Sequence, residues 1–219
     1  MKGEALRRHY EELAARYDRD RVKAYFDNNL RHLAEILRGV EGRVLEIGCG
    51  TGAYLAALRA RGHDVVGIDY AQEMCAAARA RLTAQGELAE ELVRRADAEE
   101  GLEFPGPFAA VLSVDSWEFF ARPRQVVENV HAALVPGGCF AILTPNPWAS
   151  PLINLLEWTG VKKLKPAFAH YHSFFGRTRR LTARRFRLTS FRRTYYGLEY
   201  VYVFTALPAV PGPACAPTG

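Results

Sequence analysis

Cysteine is sparse in this chain: four residues, Cys49, Cys75, Cys139 and Cys215, are spread over 219 positions and no two form a C-x-x-C pair. That excludes the ligand spacing of a structural zinc site and the cysteine density of a disulfide-stapled fold. Long hydrophobic runs are missing as well, since no stretch approaches the roughly 18 uninterrupted apolar residues of a membrane span. The opening residues, MKGEALRRHYEEL, are too charged for a signal peptide, so a cytoplasmic location is expected. Acidic residues are absent from Val161 to Arg193, where eleven Lys or Arg occur. The net charge of +5 therefore hides a local basic stretch set against a net-acidic remainder. With 49% hydrophobic residues the chain can bury a full α/β core, expected as one domain over residues 1–207 with a disordered tail at 208–219.

What is present centres on Arg43 to Leu55, RVLEIGCGTGAYL. Val44, Leu45 and Ile47 suit a strand buried on both faces, and the strand runs directly into glycines at 48, 50 and 52. Without a Cβ these positions let a ligand approach the backbone and can adopt positive φ. A helix follows from Gly52 to about Arg61, and its N–H groups face whatever lies on the glycines. His63 to Asp69 then reads as a second buried strand and Ala71 to Ala84 as an alanine-rich helix, which makes a βαβ unit. Asp69, seventeen residues after Gly52, stands where a carboxylate can accept from two ribose hydroxyls. Gly48-Cys49-Gly50-Thr51-Gly52-Ala53 also satisfies the G-x-G-x-x-A dinucleotide pattern, so an NAD-dependent dehydrogenase is the alternative enzyme.

The longer string Glu46-Ile47-Gly48-Cys49-Gly50-Thr51-Gly52 resembles the first motif of the class I S-adenosylmethionine-dependent methyltransferases, and ALVPGGCFAILTPNP resembles a later segment of that family. An acid two residues before the first glycine suits a ligand carrying an ammonium and a sulfonium, and would repel a pyrophosphate. The resemblance covers about Tyr10 to Leu207 and is nearest to small-molecule enzymes of quinone biosynthesis and natural-product tailoring. It implies a Rossmann-like α/β sheet of seven mostly parallel strands in the order 3-2-1-4-5-7-6, the last antiparallel. It also implies S-adenosylmethionine as cofactor and a hydroxyl on an apolar or amphiphilic small molecule as acceptor. Cofactor contacts are expected from Glu46, Gly48, Cys49, Gly50, Gly52, Asp69, Tyr70, Met74 and Val114. Asp97 and Ala98 would meet the adenine.

The first 40 residues read as two helices, with Leu6, Tyr10, Leu13 and Tyr17 on one face and Phe26, Leu30, Leu33 and Leu37 on another. In the family such a segment is a lid, with Tyr17 over the cofactor; packing of both tyrosines on the sheet stays open. Further strands are expected at 92–97, 108–114, 139–144, 186–196 and 199–207, with a helix over 122–134 stopped by Pro136-Gly137-Gly138. Glu99, Glu100 and Glu103 read as a solvated loop.

Where relatives have an L-E-H segment after the fourth strand, this chain has Trp117-Glu118-Phe119, with no histidine. A protein that binds the cofactor without catalysis is therefore a further alternative. Trp117, Phe119, Phe120 and Trp148 are candidate walls of an apolar substrate pocket, with core packing the competing reading for the phenylalanines. His172, and His170 beside it, are the candidate bases, against two partly exposed loop histidines. Residues 148–180 form the expected substrate-side insertion, whose leucines and lysines would suit an amphiphilic substrate or a weak anionic membrane contact. No nucleic-acid partner and no metal are expected, because the arginines lack a recognised module. The acceptor and the oligomeric state are not encoded in any motif found here.

Overall fold

The computed structural model describes residues 2–19, 22–149 and 173–208. Seven strands form one sheet: β1 (Val44–Ile47), β2 (Val65–Asp69), β3 (Val93–Arg95), β4 (Phe108–Val114), β5 (Leu134–Pro145), β6 (Phe186–Thr194) and β7 (Glu199–Ala206). Their order is β3-β2-β1-β4-β5-β7-β6, as the resemblance implied. The strands from β3 to β5 are parallel, whereas β7 runs antiparallel to both β5 and β6. The carboxyl ends of β1, β2, β4 and β5 and the start of β7 thus lie along one edge, at the switch point where doubly wound sheets hold ligands.

Seven α-helices connect the strands among the described residues. They are α1 (Lys2–Tyr17), α2 (Lys23–Ile36), α3 (Ala53–Arg59), α4 (Gln72–Thr83), α5 (Ala89–Leu92), α6 (Pro123–Ala133) and α7 (Phe175–Thr182). The periodic leucines of α2 are turned inward, with Leu33 and Leu37 fully buried. On the β5 side the core is aromatic: Phe140 packs against Trp117, Phe186 and Phe204 at ring separations of 6.2, 5.5 and 6.2 Å. Such pairs add to the area they bury, by about 0.5 to 1.5 kcal/mol each.

Several boundaries differ from expectation: the strand expected over 92–97 is confined to 93–95, since Leu92 closes α5, and the one expected over 186–196 ends at Thr194. The helix expected over 122–134 ends at Ala133, because Leu134 is already extended and pairs with Phe108. Strand β5 therefore starts before the proline, not after the glycines, and a register shift between Phe108 and Ala110 absorbs the irregularity. No spacing of apolar residues marks the helix α7. Its inward residues are Thr178 and Thr182, so its buried face is polar in sequence; Thr178 accepts from the indole N–H of the buried Trp117 at 3.3 Å.

Candidate active site

The glycine turn shows what each glycine serves. Gly48, Gly50 and Gly52 have φ of 69°, 53° and 70°, the left-handed region that favours glycine. A Cβ at Gly48 would stand 2.5 Å from the Cβ of Ser116, and one at Gly52 would stand 2.8 Å from that of Ala78. These two glycines let the turn after β4 and the helix α4 approach the glycine turn closely. A Cβ at Gly50 would meet nothing within 4 Å, so Gly50 is the position that leaves room over the backbone.

Asp69, at the tip of β2, is tied to this turn. Its Oδ2 accepts from the Gly50 N–H at 2.8 Å and its Oδ1 from the Ala71 N–H at 2.9 Å. Burial raises its pKa, while the hydrogen bonds from Ala71 and Gly50 oppose the rise. Cys49 extends the ladder by donating its N–H to the Ile68 carbonyl, and burial holds its thiol well above its ordinary range. Glu46, in the strand itself, is 1% exposed. Met74 is buried at 1% and Tyr70 is exposed at 38%, both in the connection that leaves β2.

Asp97 and Ala98 lie just after β3. Asp97 accepts from the Glu99 N–H at 2.9 Å, and burial raises its pKa. The Ala98 carbonyl accepts from the Asn129 side chain. Glu99 corrects the expectation of a solvated loop: it is 9% exposed, and accepts from the N–H groups of Ala121 and Arg122 and from the Arg122 guanidinium. It thereby joins this turn to the start of α6.

The end of helix α1 is fastened to the same turn. Thr51 donates its hydroxyl to Asp18 Oδ1 at 2.9 Å, Arg81 donates to the Thr51 carbonyl at 2.9 Å, and Arg81 also pairs with Asp18. Tyr17 and Tyr10 meet edge to face at 6.3 Å, and Tyr10 meets Phe119 at 5.6 Å. The sequence singled out Tyr17, yet Tyr10 has the more telling surroundings. Burial raises its phenol pKa, and Tyr17, Glu118, Asp69 and Asp115 reinforce the rise. Its helical spacing to Tyr17 was the only signal in the sequence.

The pocket candidates divide. Trp117 is fully buried, with Phe120 and Phe140 at its edges, so it stands in the core and not on a wall. The 3-10 turn Trp117–Phe119 turns it inward and leaves Phe119 half-buried towards Tyr10. Phe120 is half-buried against Trp117, and Val114 is buried at the end of β4. Trp148 is 74% exposed and its ring edges Phe174 at 5.5 Å. His170 and His172 lie outside the described residues, as does most of the expected insertion. The described arginines behind it are partly engaged elsewhere, Arg185 with Glu128 and Arg192 with Glu35.

A polar cluster that the sequence did not reveal fills the gap between β4, β7 and α2. The Tyr25 hydroxyl lies 2.6 Å from Asp115 Oδ1 and 2.9 Å from Glu199 Oε1. Asn28 donates to Glu199 Oε2 at 3.3 Å. Burial, and then the Asp115 charge, push the Glu199 carboxyl up to about 9. A phenol has one proton, so Tyr25 can donate to only one of the two carboxyls at a time; when Glu199 is protonated, that acid can donate to Tyr25 while Tyr25 donates to Asp115. Beside it Thr144 donates to Glu118, which is 8% exposed. Glu46, Asp69, Asp115 and Glu118 thus line this edge of the sheet with carboxyl groups, which suit a cationic ligand.

Known proteins resemble this chain in sequence and in fold. Residues 44–138 match a family described as a methyltransferase domain. A ubiquinone biosynthesis O-methyltransferase of Bordetella avium (strain 197N) is 31% identical over 158 residues, covering 70% of this chain and 64% of that protein. The enzyme of the same name from Pseudomonas aeruginosa (strain UCBPP-PA14) is 34% identical over 110 residues, covering 49% of this chain and 47% of its own. The chain therefore spans about half to just under two thirds of the length of these relatives. Among solved structures, magnesium protoporphyrin IX methyltransferase from Synechocystis PCC 6803, with bound SAH, superposes with a TM-score of 0.60 at 16% identity, over 81% of this chain and 82% of that one. That likeness is one of fold. In its matched domain, its relatives and its strand order, the chain is similar to the class I S-adenosylmethionine-dependent methyltransferases.

Proposed function

We propose that this protein binds S-adenosylmethionine across the tips of β1 and β2 and directs methyl transfer to a hydroxyl oxygen of a small, apolar or amphiphilic molecule. The observation that carries the reading is the open space over Gly50 beside Asp69, within a set of carboxylates. The donor set fits the group: an open glycine admits it, and carboxylates suit its two positive charges. When bound, S-adenosylmethionine supplies a methyl carbon activated by its sulfonium. Glu46 and Asp69 receive the ammonium and the ribose hydroxyls in this reading, and Asp97 with the Ala98 N–H reads the adenine. Tyr10 and Tyr17 exclude water, while Phe119, Phe120 and Trp148 offer the acceptor apolar surface. The name of the Bordetella relative supports oxygen as the acceptor atom.

Calorimetry tests the cofactor. Micromolar binding of S-adenosylmethionine and its demethylated product is expected, with none for NAD; the reverse pattern would return the glycine turn to a dehydrogenase reading.

His172, with His170 as second choice, is proposed to hold the proton that leaves the acceptor hydroxyl. A general base contributes about 10²- to 10⁴-fold, so His172→Ala should lower turnover by that order and remove one limb of its pH profile. If both histidine variants keep parental turnover and pH dependence, alignment alone carries the reaction.

A further inference from the structure

The hairpin between β6 and β7 turns through Tyr195, Tyr196 and Gly197, with φ of 47°, 58° and 83°. Turns with consecutive positive φ are ordinarily made by Asn and Gly, which enter that region at little cost. Two tyrosines there are strained, and strain of this kind is retained where a side chain must be displayed. Tyr195 is half-buried, its ring edge-on to Tyr25 at 5.1 Å. Tyr196 does not, since it is 95% exposed.

Its surroundings point to what it serves. Asn146, just past β5, donates from its side chain to the Gly197 carbonyl at 2.7 Å, and its side-chain oxygen accepts from the Trp148 N–H at 3.0 Å. One buried asparagine therefore fixes both the hairpin carrying Tyr196 and the turn carrying Trp148, the two most exposed large aromatic residues among those described. Both stand at the sheet edge where β4 and β5 end. Tyr196, Tyr195 and Tyr25 follow one another at ring separations of 5.6 and 5.1 Å, and Tyr25 reaches Asp115 at the tip of β4. The row leads from solvent to the candidate active site.

We infer that Trp148 and Tyr196 form an aromatic rim that stacks on a flat ring system of the acceptor remote from the hydroxyl that is methylated. The inference rests on the proposed methyltransferase reading and adds to it a class of acceptor, planar and longer than one ring. The positions next to the methyl group fix the reacting hydroxyl, and the rim adds affinity only for acceptors long enough to reach it.

The test compares catechol with the flavone luteolin, which carries the same dihydroxyphenyl ring on a flat bicyclic system. Binding of each is measured by calorimetry on the full chain in the presence of S-adenosylhomocysteine. The parent protein should bind luteolin more tightly than catechol. Tyr196→Gly and Trp148→Ala should each weaken luteolin by about three- to tenfold, the scale of one aromatic pair, and Tyr196→Gly should leave catechol unchanged. Tyr196→Gly relieves the left-handed strain, so its melting temperature should equal or exceed that of the parent while luteolin affinity falls. Failure of the parent to favour luteolin, unchanged luteolin affinity in both variants, or a lower melting temperature in Tyr196→Gly would each overturn the rim. Binding of S-adenosylhomocysteine alone is read first, so loss of the cofactor reading is seen separately.

Discussion

Asp69→Ala is expected to weaken S-adenosylhomocysteine binding by about ten- to hundredfold, the cost of one hydrogen bond to a charged group at roughly 1.5 to 3 kcal/mol. The effect has two sources that geometry keeps apart. The carboxylate would accept from the ribose, and it already accepts from the Gly50 and Ala71 N–H groups, which hold the turn and the start of α4. Asp69→Asn separates them. Its amide oxygen can still accept from one N–H while its NH₂ opposes the other, so binding should fall by less than in the alanine variant. Calorimetry beside a melting curve reads both sources. Unchanged affinity in Asp69→Ala, with the fold intact, would remove this residue from the site.

The largest pH effect is expected from Glu199. Its carboxyl rises from an ordinary 4.5 to about 9 in the folded protein. Between those values the folded chain binds a proton that the unfolded chain has lost, so stability falls as pH rises through the window and levels off above it. The sign is opposite to that of an ion-paired carboxylate. A single proton gives a slope of at most about 1.4 kcal/mol per pH unit, and the raised pKa values of Asp69 and Asp97 act in the same sense. Glu199→Gln places an amide N–H where the protonated acid donates to Tyr25, and removes the titration. Denaturant unfolding from pH 5 to 9 should show a parental decline that is markedly flatter in Glu199→Gln. An identical decline in both proteins would assign the titration to other groups.

The legible parts of this chain are those written in short-range pattern. The apolar strand, the glycines and Asp69 at the next strand tip follow from composition and spacing within about 25 residues, and the strand order followed from the family resemblance. What escaped depends on contacts between distant residues. Glu199 meets Tyr25 across 174 positions, and neither stands in any motif. Glu99 sits in a run that reads as solvated, because its partners Ala121 and Arg122 lie more than twenty residues on. Trp117 reads as a pocket wall from its place after the fourth strand, but the short 3-10 turn points it into the core, where Thr178 of an unpatterned helix receives its N–H. The boundary at Leu134 was missed for a simpler reason: a leucine fits a helix stripe as well as a strand, and pairing with Phe108 decides between them.

The fastening of α1 through Asp18, Thr51 and Arg81 to the glycine turn would make that helix and a ligand on the turn thermodynamic partners. Whatever free energy a docked α1 contributes to holding a ligand on Gly50, the ligand must return in full to the docking of α1. Under the proposed function, opening of the helix and departure of the ligand are then one coupled equilibrium, and Arg81, away from the reacting atoms, would share in setting how long a spent ligand stays bound.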